Sequence, residues 1–170
     1  MVIDIKTLLL MCGAPGSGKT YWAKKAIGLQ GGKIPIKYFS RDEVRFEMVP
    51  EDEEYFSKED AVFKEWIRRI QEALDSDGDC YVIADATHVS PKSRAKTLDS
   101  LRLGDTSIIT VSCNPGLKVC LEQNAQRTGR ARVPDAAIRQ MHYNFVEPQE
   151  GEKYKYAATL VATYDEEEEK

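Results

Sequence analysis

Apolar residues along this chain fall into two kinds of run. Thr7-Leu8-Leu9-Leu10-Met11-Cys12 is unbroken, as expected of a strand buried on both faces of a sheet. Lys37-Tyr38-Phe39-Ser40, Cys80-Tyr81-Val82-Ile83-Ala84, residues 107–113 and residues 157–162 read as four further strands. Between them the spacing turns helical. Trp22, Ala23, Ala26 and Ile27 share one face until Gly28 offers a stop, and Val62, Phe63, Trp66, Ile67, Ile70 and Leu74 trace a longer one. A tryptophan in such a stripe belongs to the core.

Start signals agree with these stripes. Ser57 with Asp60 forms a weak relative of a capping box, and Ser90-Pro91 and Asn114-Pro115 each pair a cap with a first-turn proline. Those helices run through Leu98 and Leu101 and through Leu121 and Ala125. Val133-Pro134 opens another, carrying Ile138, Met141 and Phe145, and Pro148 ends it. The polar stretch 41–48 starts a helix directly after the second strand. Strands alternating with helices predict an α/β fold: a five-stranded parallel sheet with helices on both faces. Ligands of such sheets bind beyond the carboxyl ends of the strands.

The first strand leads into Gly13-Ala14-Pro15-Gly16-Ser17-Gly18-Lys19-Thr20, which fits G-x-x-x-x-G-K-[ST]. The pattern has meaning between a strand and a helix, where backbone N–H groups point at phosphate, and that setting is predicted here. Lys19 would reach the β- and γ-phosphates of a nucleoside triphosphate such as ATP, and the Thr20 hydroxyl would ligate Mg²⁺. Polar candidates collect on the same rim. Asp42, just past the second strand, could take a proton from an attacking hydroxyl, or merely cap its helix. Arg45, three residues on and on the same helical face, could hold an acceptor phosphate or the transferred group. Asp85, at the end of the third strand, could fix Mg²⁺, with Thr87 and His88 in reach of the acceptor. Arg127, Arg130 and Arg132, around Gly129 and before Pro134, suit a mobile lid that delivers guanidinium to phosphate. These are the parts of a phosphoryl transferase.

Composition narrows the picture. The formal net charge of −4 resides wholly in residues 165–170, an acidic tail expected to be solvated, so residues 1–164 are neutral and make one domain. No global basic field exists for coating nucleic acid, and an anionic substrate must be held locally. The four cysteines show no zinc-like spacing, and buried thiols in a reducing cytoplasm are expected. No apolar run nears the length of a membrane span. Asp75-Ser76-Asp77-Gly78-Asp79 lacks the glycine and glutamate positions of a calcium loop and follows a helix rather than a strand, so it reads as a polar turn.

Taken together, these segments resemble the kinase domain of phage polynucleotide 5′-hydroxyl-kinases and their relatives. The resemblance rests on the glycine-rich loop, Ser40-Arg41-Asp42-Glu43-Val44-Arg45, Asp85-Ala86-Thr87-His88 with Pro91 and Arg94, and Asn124 through Val133-Pro134 with Arg139 and Met141. It implies that Asp42 activates the 5′-hydroxyl end of DNA or RNA, that Arg45 binds at the acceptor side, and that a lid arginine contacts the donor phosphates. Histidine stands at 88 where relatives commonly carry asparagine, and the spacing leaves Arg127 and Arg130 competing for the lid role. A small-molecule or nucleotide kinase on the same scaffold is the alternative. A regulatory NTPase would not need the base at Asp42.

Overall fold

A computed structural model describes residues 3–29 and 31–163, so the acidic run at 165–170 lies outside the described residues. Five strands, β1 (Lys6–Cys12), β2 (Ile36–Ser40), β3 (Cys80–Asp85), β4 (Ser107–Ser112) and β5 (Ala158–Val161), form one sheet in the order β2-β3-β1-β4-β5. Every pairing is parallel. The helices are α1 (Lys19–Leu29), α2 (Arg41–Met48), α3 (Glu59–Leu74), α4 (Pro91–Asp99), α5 (Leu117–Ala125) and α6 (Asp135–Tyr143), with a short 3-10 turn at Gly129–Ala131. The expected fold class is the one observed.

The period-2 geometry of the strands divides the core. Leu8, Leu10, Val82, Ala84 and Ile108 point to one face, where Val62, Trp66 and Ile70 of α3 and Leu98 of α4 cover them. Met11, Ile83 and Val111 point to the other, under Ala23 of α1. Trp66 is fully buried and its indole N–H donates to the Phe39 carbonyl at 3.0 Å, so it is core and pins α3 against β2. All four cysteines are buried thiols. Burial pushes the Cys12 thiol up to about 12, which keeps it neutral and unreactive.

Local signals were obeyed at some helix starts. Ser90 caps α4 in a reciprocal box with Ser93, with a proline in the first turn. Others were overridden. The cap position of α3 is Lys58, without a side-chain bond, because the Ser57 hydroxyl donates to Glu53 Oε2 at 3.3 Å instead. α5 begins after Gly116 rather than at Asn114-Pro115, and the Asn114 amide reaches Glu147 Oε1 at 3.4 Å. α1 continues through Gly28 to Leu29 despite a glycine cost of about 1 kcal/mol. The aspartate-rich stretch 75–79 is a turn, fastened where Asp79 Oδ1 accepts from the Ile5 amide at 2.7 Å. Among the described residues, no group of three or more metal-ligating side chains converges, and no helix is long and apolar enough to cross a membrane.

Candidate active site

β1 sits at the centre of the sheet, and its loop opens over the carboxyl ends of its neighbours, where chain connections diverge to the two sides. The loop needs its glycines for closeness as well as for curvature. A Cβ on Gly13 would sit 2.3 Å from the Cys113 carbonyl oxygen, and one on Gly16, at φ +78°, 2.3 Å from that of Cys120. Both approaches are to backbone, which cannot yield. The Gly13 amide donates to the Thr87 carbonyl at 2.8 Å, tying the loop to the tip of β3.

That tie brings the phosphate-handling groups together. Lys19 opens α1, with its ammonium donating to the Ala14 carbonyl at 3.0 Å. The Thr20 hydroxyl donates to Asp85 Oδ2 at 3.0 Å, from 65 residues away in the chain. The Tyr38 hydroxyl donates to the same oxygen, and burial together with the Asp85 carboxylate holds this phenol above its ordinary pKa. Tyr38 escaped sequence reasoning because a tyrosine inside a strand reads as core. A hydroxyl and a carboxylate oxygen meeting beside a loop of amide donors is a fitting donor set for Mg²⁺, which prefers hard oxygens and takes most of its coordination from phosphate and water. Backbone amides, a lysine and a helix start in one loop likewise fit a nucleotide's phosphates.

A cleft of about 520 Å³ joins these groups to the other rim candidates, among them Asp42, Arg45, Thr87, Arg127, Arg130 and Arg132. Ser40, at the end of β2, caps α2 by accepting from the Glu43 amide at 3.3 Å, so Asp42 is not the cap. The Asp42 side chain is 60% exposed. Its Oδ1 accepts from Arg45 Nη1 and from the Tyr55 hydroxyl, the latter at 3.1 Å. Both bonds fall on one oxygen, which leaves Oδ2 to take a proton.

Arg45 corrects its expected role. It is 5% exposed, and its Nε and Nη2 donate to the Glu59 carboxylate at 2.9–3.2 Å while Nη1 serves Asp42 and Tyr55. Its guanidinium lies 4.7 Å from the Tyr55 ring centre. Burial pulls its pKa down, but Tyr55, Asp42 and Glu59 outweigh burial and hold it above the ordinary value. Arg45 lines the cleft, but its donors are engaged by Glu59, Asp42 and Tyr55 rather than left open to a phosphate. Glu59, which also pairs with Arg41, was invisible in the sequence: it lies 14 residues from Arg45 on another helix.

The arginine stretch is pinned at its base. Asn124, fully buried, accepts from the Val133 amide at 3.0 Å and donates to its carbonyl at 2.7 Å. Arg130 reaches across to α2, donating to the Val49 carbonyl at 2.7 Å with its guanidinium 5.2 Å from the Phe46 ring centre. Arg127 turns back to the Ala131 carbonyl at 3.5 Å within its own loop. Arg130 thus leans on the end of α2, while Arg127 stays within its own loop.

His88 corrects a second expectation. It is 3% exposed, Nδ1 lies 2.7 Å from the Met11 carbonyl and Nε2 2.9 Å from Thr97 Oγ1, so it cannot touch an acceptor. Its φ of +41° turns the chain at the strand tip and drives the ring inward. Burial, offset only in part by the Met11 bond, lowers its pKa from 6.5 to about 3. The unfolded chain therefore binds the proton first. The stability that neutral His88 contributes is whole above about pH 6.5 and is lost as pH falls toward 3. A His88→Gln variant, less stable at neutral pH, is expected to lose less on acidification. Denaturant midpoints taken from neutral pH down to about 4 should converge, and parallel curves would show that His88 does not titrate on unfolding.

Residues 8–148 match a family model described as an AAA domain. No curated protein sequence matches the chain. Among solved structures, the chain is similar to one in the Pnkp1/Rnl/Hen1 RNA repair complex, with a TM-score of 0.68 and 18% identity over 84% of this chain and 45% of that one. It therefore spans less than half of that protein. It is also similar to Chaetomium thermophilum Kti12 in complex with ADP-AlF3, with a TM-score of 0.65 and 15% identity over 95% and 91% of the two chains. A gluconokinase from Sinorhizobium meliloti gives a TM-score of 0.55 and 18% identity over 94% and 83%. Identities this low speak for architecture, and the family model for membership: this chain belongs to the AAA-domain family, in which it carries a P-loop kinase fold.

Proposed function

We propose that this chain is an ATP-dependent phosphotransferase with a hydroxyl acceptor, and that the acceptor is the 5′-hydroxyl end of a DNA or RNA strand. The observation that carries the reading is Asp42. An exposed carboxylate, fixed through one oxygen by Arg45 and Tyr55, shares a cleft with the P-loop lysine and the Thr20–Asp85 pair. Phosphoryl transfer demands positioning and charge more than covalent help, and these residues supply both. Asp42 Oδ2 accepts the proton of the acceptor hydroxyl as its oxygen attacks the γ-phosphorus. Lys19 and the loop amides hold the donor phosphates, and Arg127 contributes a guanidinium from its loop. Mg²⁺ held by Thr20 and Asp85 would neutralise charge on the β- and γ-phosphates.

The choice of a nucleic acid end rests on the resemblance of the motifs and on Arg127, Arg130 and Arg132, which line the cleft. One observation favours a second reading, a small uncharged acceptor. Glu51 and Glu53 also line the cleft, and Glu59 occupies Arg45, so part of the wall is hostile to phosphate. Labelled ATP offered with a 5′-hydroxyl oligonucleotide, its 5′-phosphorylated twin, a nucleoside and a sugar separates the two. The expected result is labelling of the 5′-hydroxyl oligomer alone. Equal kcat/KM for the nucleoside or the sugar would replace the polynucleotide reading with the small-molecule one.

A further inference from the structure

Against Tyr55, the partner of Asp42, stands an aromatic group that neither proton transfer nor phosphate binding uses. Phe56 is 59% exposed and lines the cleft. A single exposed aromatic residue needs no explanation on a convex surface. This one lies in a concave site and is held in place. The Tyr55 ring meets it edge-on, with centres 4.7 Å apart at 86°, and Phe46 in turn packs 6.2 Å from Tyr55. The Arg45 guanidinium lies 5.4 Å from the Phe56 ring centre. A ring fixed by a neighbouring edge and a cation is pre-organised to receive a flat partner at little further entropic cost.

Charge around the ring states what that partner is. Glu51 and Glu53 line the cleft and repel phosphate oxygens, whereas Arg127, Arg130 and Arg132 line it with the opposite sign. A ligand with one anionic edge and one uncharged, flat edge satisfies both. A nucleotide at a strand end has that form. Tyr55 joins the two functions, since its ring buttresses Phe56 while its hydroxyl donates to Asp42 at 3.1 Å.

We propose that Phe56 is a specificity-determining residue: the shelf on which the nucleobase of the acceptor's 5′-terminal nucleotide stacks, with the strand's phosphates turned to the arginine side. The inference rests on the polynucleotide reading and names how that acceptor is recognised. Stacking tolerates any base, because every base has a π-face, so the shelf confers a demand for a base without choosing among them.

The test uses two acceptors, a 5′-hydroxyl oligonucleotide and the same oligomer with an abasic sugar at its 5′ end. For the wild-type chain the abasic end should raise KM about 10-fold, in line with the worth of one base–aromatic stack. Phe56→Ala should raise KM by a similar factor on the complete oligomer and have little effect on the abasic one, while Phe56→Trp should restore it. ATP affinity should not move. Because Phe56 also packs on Arg45, a merely structural role would lower kcat equally on both acceptors, and that result overturns the shelf. So does an unchanged KM in Phe56→Ala on the complete oligomer. Failure of the wild-type chain to label either oligomer while it labels a nucleoside or sugar overturns the polynucleotide reading itself, and the nucleobase shelf with it.

Discussion

Asp42→Asn should keep its affinity for ATP and lose phosphoryl transfer by about 100-fold or more. Asparagine preserves the size of the side chain and an oxygen that can still accept from Arg45 Nη1 and the Tyr55 hydroxyl. The α2 terminus is also spared, since Ser40 rather than Asp42 caps it. What the amide cannot do is accept a proton from the attacking hydroxyl. The loss should therefore appear in kcat at saturating ATP and acceptor, with the ATP dissociation constant unchanged. Transfer at the wild-type rate would remove Asp42 from the base role, and a parallel collapse of ATP binding would show that it acts through the fold. Arg45 and Glu59 should be felt through the same residue, as supports of Asp42 rather than as ligands of the substrate.

Lys19→Ala should fail differently. Its ammonium sits in the loop that Gly13 and Gly16 hold against the backbone of Cys113 and Cys120, and nothing else in that loop carries a full positive charge. Losing it should weaken ATP binding by about 10-fold and lower turnover by a further 100-fold, because charge on the transferring group is greatest in the transition state. Equilibrium ATP binding and single-turnover transfer separate the two effects. Wild-type behaviour in both would mean that the P-loop here does not hold the donor. Together the two variants divide the cleft into a donor half, where binding and rate fall together, and an acceptor half, where rate falls alone.

Features that depend on neighbours in the chain were legible beforehand. The glycine pattern of the P-loop, the unbroken apolar run of β1 and the Ser90-Pro91 cap are local statements, and the structure honours each. The spacing of Asp42 and Arg45 also foretold their contact. Features set by distant partners were not. The partner that engages Arg45 is Glu59, which has no sequence signature as such. His88 looked like a polar residue at a strand tip, yet a left-handed backbone turn hid it between Met11 and Thr97. Arg94, noted only as part of a motif, proves to be a fully buried ion-pair partner of Glu152, 58 residues on, and donates to the His88 carbonyl at 2.8 Å. Burial of this kind belongs to the third dimension, where pairing across the chain decides what a charge is for.

The wall bearing Asp42, Arg45, Tyr55, Phe56 and Glu59 comes from one uninterrupted stretch, residues 40–59, whereas the donor half draws on the ends of β1 and β3 and on the start of α1. Such a layout behaves as an exchangeable cassette on a fixed chassis. The ion pairs of Arg45 with Asp42 and Glu59 lie within it, so under the proposed transfer a change there would redirect which hydroxyl is offered with little effect on how phosphate is held. Loop and helix segments set on a constant sheet are how one architecture comes to serve many substrates. For this chain, the twenty or so residues between β2 and the first turn of α3 are where selection for a new acceptor would act first.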